Sequence, residues 1–248
     1  EYFEDLIKDF EIISSKECVI FLPIFGISME LGSIKLGKIK LVKLTDEKIS
    51  EIKELTRIQL LKTANDPESK EFFIAEEHKR IDEHLSEAKT CAEFHVFAEI
   101  NRAVELAEEE AQNVIDIFRF AIPTLYARNL RVFIGLQGEY SHQDRYVLGI
   151  CVDRFVSSLS IIGPLGKLEI THKNLKHMKQ LHIFELSKLI KKESLTDFEK
   201  TLLLGIKWFS RSQTHREPIN QFMDLITCIE VFLNPGTGQP ITLSLAEG

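Results

Sequence analysis

The chain has 248 residues, 44% of them apolar and 28% charged, with a formal net charge of −7. This is the composition of a globular protein able to bury a core, and it argues against a disordered chain or a general nucleic-acid binder. No apolar run approaches the roughly twenty residues needed to span a bilayer, so no membrane contact is expected. The opening EYFEDLIKDF is amphipathic and acidic, unlike a signal peptide, and begins with Glu, so a piece of a longer chain is expected.

The four cysteines, Cys18, Cys91, Cys151 and Cys228, are far apart and lie among apolar neighbours such as CVIFL and ITCIEVF. Buried free thiols in a reducing cytoplasm are the expected state, with no disulfide and no metal site. Charge is unevenly spread. Residues 46–118 carry 19 acids against 9 bases, whereas residues 167–217 carry 11 bases against 6 acids. The second region could meet a polyanion, although a solvated lysine-rich helix face is the plainer reading.

A helix is predicted near 2–10. ECVIFLPIFGISMELGSIKLGKIKLVKL follows, alternating apolar and polar residues between Gly26, Gly32 and Gly37, which predicts two or three short antiparallel strands. Pro23 marks an edge or bend. Thr45 caps a helix with Asp46 and Glu47 in its first turn and Ile49, Ile52, Leu55, Ile58 and Leu61 at helical spacing. NDPES interrupts it before a charged helix over roughly 68–86. TCAEFHVFAEI then reads as a strand.

Residues 102–121 form an amphipathic helix whose inward stripe is Ala103, Leu106, Ala107, Val114, Ile117, Phe118 and Ala121, with Glu110 the one polar intruder. RVFIGLQGE and YVLGICVDRFVSSLSII read as β structure, and GPLGKLEI as a turn and boundary. Helices are predicted over 172–192, 196–212 and 217–233, and a further one begins at 241. In the second, Thr196 and Glu199 have capping-box spacing, with Phe198, Leu202, Ile206 and Phe209 facing inward. In the third, Pro218 sits in the first turn and Ile219, Phe222, Ile226, Ile229 and Leu233 form the expected buried seam. The predicted fold is α+β: a β-rich front part with helices over residues 1–166, then a helical bundle over 167–248.

Familiar catalytic motifs are missing. GPLGK has too few residues between its glycines for a phosphate loop and is followed by Leu168; PGTGQP reads as a surface loop. His172, His177 and His182 recur at a spacing that turns them about 140° apart on a helix, so they cannot share a metal from one face. HExxH and GxSxG do not occur. Arg211 and His215 are residue types that can stabilise a phosphorane and move a proton. They fall where Pro218 ends the helix, however, and a cationic helix terminus explains Arg211 without chemistry. Arg80 and His84 repeat the spacing on a charged helix. Glu230 stands at the margin of the seam, where it either reaches water or orients an Arg or His from a neighbouring helix.

TLLLGIKWFSRSQTHREPINQFMDLITCIEVFL resembles the paired helices of ApeA-like HEPN proteins: GIKWFS, then Glu217-Pro218, then CIEVF, with ITLSLAEG resembling the start of the next helix. FLPIFGISMELGSIKLGKIKLVKLT and AVELAEEEAQNVIDIFRFA resemble the β-rich region and mid-region helix of the same proteins, so the likeness spans most of the chain. It implies a four-helix bundle that commonly dimerises and, in active members, a metal-independent endoribonuclease of bacterial antiviral or toxin systems. The family's Arg-x(4–6)-His signature does not match Arg211 and His215, which have three residues between them and come a helix too early. By the family's layout it is expected beyond Gly248. Glu230 is the position that resembles the family's supporting acid. The expected partners are RNA, a second copy through the helical bundle, and a phage-derived trigger or protein held by the front part. No cofactor is expected. The alternative is a non-catalytic sensor or interaction module packed against another chain.

Overall fold

The computed structural model describes residues 16–63, 67–125, 132–136, 145–150, 155–160, 166–215 and 217–233. The helices predicted at 2–10 and from 241, the PGTGQP loop and Cys151 lie outside these residues. The fold is α+β, as the patterning predicts. In chain order the elements are β1 (Lys16–Phe25), β2 (Ile27–Met29), β3 (Ser33–Leu36), β4 (Ile39–Lys43), α1 (Asp46–Thr63), α2 (Pro67–Ala88), β5 (Thr90–Ala98), α3 (Ile100–Leu125) and β6 (Gly135–Leu136). There follow β7 (Arg145–Ile150), β8 (Phe155–Ser160), β9 (Leu168–Ile170), α4 (His172–Gln180), α5 (Ile183–Leu189), α6 (Asp197–Ser212) and α7 (Pro218–Leu233).

Strands pair in the order β3-β4-β5-β1-β6, every neighbour antiparallel. Gly37 (φ 54°) opens the two-residue turn that sets Leu36 opposite Ile39. Gly26 (φ 78°) lets the chain leave β1 for β2, which pairs in parallel with β9. A Cβ there would stand 1.7 Å from the Phe133 carbonyl oxygen, so only glycine fits. Within the segment predicted as one long β stretch, β7 and β8 pair antiparallel.

Strand alternation gives the sheet two apolar faces. One carries Ile20, Ile24, Ile39, Leu41 and Phe94 against the α3 stripe, where Ala103, Ala107 and Ala111 bring the helix close and Val114, Ile117 and Phe118 fill the space. The other carries Val42 and Cys91 against Ile52 of α1 and Leu85 of α2, with Phe21 beside them. Burial pushes the Cys91 thiol up to about 12, an inert thiol of the core. Met178 of α4, Ile183 of α5 and Ile206 of α6 join the α3 side of the core. One apolar core therefore runs across position 166.

Several details differ from the pattern read in the sequence. Residues 16–43 form four strands where two or three antiparallel ones are predicted, and one of them, β2, pairs in parallel. The helix predicted over 172–192 is two short helices, because His182 takes a left-handed conformation (φ 55°) between them. Leu55, Ile58 and Leu61 are exposed, since α1 meets the sheet with its first two turns only. Phe198 points to solvent: it sits in the first turn of α6, and the buried positions of that helix are Thr201, Gly205, Ile206, Ser210 and Ser212.

Candidate functional site

The α6–α7 hairpin brings together the two residues that the sequence suggests as a pair. Thr196 and Glu199 close the capping box at the start of α6. At its other end the Thr214 N–H donates to the Arg211 carbonyl, finishing the helix before Pro218 opens α7. In that corner Asp224 of α7, buried, points one oxygen at both side chains. Its Oδ2 lies 2.9 Å from His215 Nε2 and 3.3 Å from Arg211 Nε. Both are ion-pair approaches, not aligned hydrogen bonds. The Arg211 guanidinium also stands 5.0 Å above the Trp208 ring, and Gln221 Nε2 donates to the His215 carbonyl at 2.6 Å. The carboxylate meets both the guanidinium and the imidazole, and the result is a clasp across the connection.

Asp224 escaped the sequence reading. Its signal is present in FMDLI: an acid inside an apolar run on a helix has to find a cation if it is buried. Glu230 is half-buried, six residues beyond Asp224, which places it about 9 Å further along the helix and about 240° around it. The carboxylate that meets Arg211 and His215 is thus Asp224. Arg80, the other arginine at this spacing, is paired with Glu76 and Glu77 on the surface of α2.

The seam expected to be buried on α7 is the largest correction. Ile219, Phe222, Ile229 and Leu233 are 75%, 62%, 58% and 72% exposed. The face that meets α6 is instead Asp224, Thr227, Cys228 and Val231. On a helix of 3.6 residues per turn that face lies about 180° from the seam. The reason is the close approach of the two helices at Gly205. Cys228 Sγ donates to the Gly205 carbonyl at 3.2 Å, and the Phe232 ring occupies the space a Cβ at 205 would take. Small and polar residues permit that approach; the large apolar residues are left outside.

Three further charged centres are structural in form. Asp116 of α3 accepts from Ser210 Oγ at 2.5 Å and from Gln112 at 2.8 Å. Arg119 donates to the Ile134 carbonyl at 2.7 Å and to Ser210 at 3.3 Å, which ties α3 to α6 through buried groups. On the sheet face that α1 and α2 cover, Glu93 meets Lys48, Lys40 and His95 at 3.2, 3.4 and 3.1 Å. Burial pushes the Glu93 carboxyl up, but the contacts with His95, Lys48 and Lys40 outweigh it and hold the group below its usual range. Glu110, the intruder of the α3 stripe, is buried with Lys38 from the β3–β4 turn as its partner.

Among the described residues no group of three or more His, Cys, Asp or Glu could hold a metal ion, and no helix is long and apolar enough to cross a membrane. Comparisons with protein-family models, with curated proteins and with solved structures find no match.

Proposed function

We propose that this chain is the larger part of a HEPN-type, metal-independent endoribonuclease of bacterial antiviral defence. In this reading residues 1–166 sense a trigger or hold a partner, and α6 and α7 are two helices of the nuclease bundle. The observation that carries it is the outward apolar seam of α7, Ile219, Phe222, Ile229 and Leu233. Large apolar side chains in register along a helix have a free-energy reason to be covered, and a bundle with further helices, or a second copy, covers them. The resemblance of GIKWFS and CIEVF to the paired HEPN helices supplies the activity.

The Arg211–Asp224–His215 clasp acts here as a brace. A buried carboxylate that engages both Arg211 and His215 fixes the turn between the helices and leaves the cutting groups to the family's Arg-x(4–6)-His, expected beyond Gly248. Glu230, on another side of α7, is the supporting acid. The test is incubation of the full-length protein with RNA in EDTA: cleavage is expected to persist there and to weaken in Glu230→Ala. His215→Ala is expected to cut at close to the wild-type rate. Loss of cutting in His215→Ala at unchanged thermal stability would move the active centre to the clasp.

The same seam also suits a non-catalytic interaction module, whose partner chain would cover it. An intact RNA substrate after incubation, together with a stable complex that Phe222→Gln dissolves, is the outcome that reading requires.

A further inference from the structure

The locally basic stretch of the sequence becomes a defined surface in α4. Its nine residues, HKNLKHMKQ, contain no acid. His172, Lys173, Lys176, His177 and Lys179 are all exposed, and at 100° per residue they share one arc of about 160°. The apolar residues of the helix turn the other way: Met178 is buried in the core and Leu175 packs against it. The helix is held firmly behind this face. Thr171 caps it by accepting from the Asn174 N–H at 3.1 Å, and the Asn174 side chain donates to the Glu169 carbonyl at 2.8 Å. The His172 N–H donates to Glu30 Oε2 at 3.2 Å, and His182, just past the helix, lies 3.8 Å from Glu185.

Lys173, Lys176 and Lys179 form no ion pair among the described residues; the same holds for other lysines such as Lys35, Lys188, Lys191 and Lys207, but these three are gathered on one face of a helix that holds no acid. In a chain of net charge −7, three uncompensated lysines on one rigid face stand against the general balance. Their mutual repulsion costs stability, and a polyanion relieves it.

We infer that the exposed face of α4 is a docking surface for the phosphate backbone of single-stranded RNA. The choice of RNA among anionic partners rests on the ribonuclease reading above and on the chemistry of the face. It offers no aromatic or large aliphatic anchor, which a protein interface normally needs at its centre. Nor does α4 present an apolar side to a lipid surface, since Leu175 and Met178 are spent on the core. Lysines on flexible stems serve as point charges that follow a phosphate chain without reading its bases. Binding at this face is therefore independent of sequence and strongly dependent on salt.

The test uses the full-length protein and the triple variant Lys173→Gln/Lys176→Gln/Lys179→Gln, with folding checked by thermal midpoint. Fluorescence anisotropy follows a labelled, 2′-O-methylated RNA, which cannot be cut through its 2′-hydroxyl, across a series of KCl concentrations. The variant is expected to bind about tenfold more weakly or worse, with a log-affinity against log-salt slope shallower by about two. Unchanged affinity and slope in a folded variant would overturn the inference. So would polyglutamate that displaces the RNA at equal charge, because the face would then favour acidic protein. Parallel digestion of unmodified RNA separates this proposal from the nuclease reading. RNA bound through α4 but left uncut defeats the nuclease reading alone; RNA cut by a variant whose affinity is unaltered defeats the docking surface alone.

Discussion

Helices α3 and α7 carry apolar residues at much the same spacing, yet they are used in opposite ways. The α3 stripe faces the sheet, and Ala103, Ala107, Val114, Ile117 and Phe118 are all buried. The α7 stripe faces away from the other described residues, and the helix is attached through Asp224, Thr227, Cys228 and Val231. Periodicity reports which side of a helix is apolar; it does not report what lies opposite. For α3 the five-stranded sheet supplies the opposing surface, and for α7 nothing among the described residues does. The difference implies that α3 carries the stability of the fold, while the α7 stripe is left uncovered among the described residues.

That contrast can be broken or sharpened by substitution. Phe118→Ala removes a fully buried ring from the α3 stripe and is expected to cost about 4 kcal/mol in urea unfolding. Asp116→Ala removes the buried carboxylate that Ser210 and Gln112 donate to and that lies 4.0 Å from the Arg119 guanidinium, and is expected to cost about 3 kcal/mol by the same measurement. Asp224→Ala opens the clasp, but Arg211 is more than half exposed and water replaces part of the loss; about 1 kcal/mol is expected.

Acid should reveal the Glu93 centre. Its folded carboxyl is held below the unfolded value, so its contribution is present above about pH 4.3 and is lost as pH falls through the lower folded value. The urea midpoint should fall across that window more steeply in the wild type than in Glu93→Gln. The smallest effect is expected at Ile229→Gln, within about 0.5 kcal/mol, because its side chain is already in water. A cost there as large as that at Phe118 would show that α7 is packed like α3 and would remove the contrast.

The sequence made the elements themselves plain. Alternation over residues 16–43, the stripe of α3 and the Thr196–Glu199 box each depend on neighbours in the chain, so each could be read without knowing the fold. What could not be read depends on residues distant in sequence. The partner of Glu110 is Lys38, that of Ser210 is Asp116, and the carboxylate between Arg211 and His215 comes from the next helix. The rotation of α7 was equally hidden. It follows from Gly205 admitting close approach on one side, and a glycine inside a helix does not announce which side will be used. The break at His182 was masked because LHIF continues the helical spacing, and only the backbone conformation shows the end of α4.

The most direct measurement is cleavage of a defined single-stranded RNA by the full-length protein in excess EDTA, followed by gel against the Glu230→Ala variant. The account predicts fragments in EDTA from the wild type and markedly fewer from Glu230→Ala at equal folded concentration. Intact RNA in EDTA with cleavage restored only by added divalent metal, or no cleavage under either condition, would contradict it.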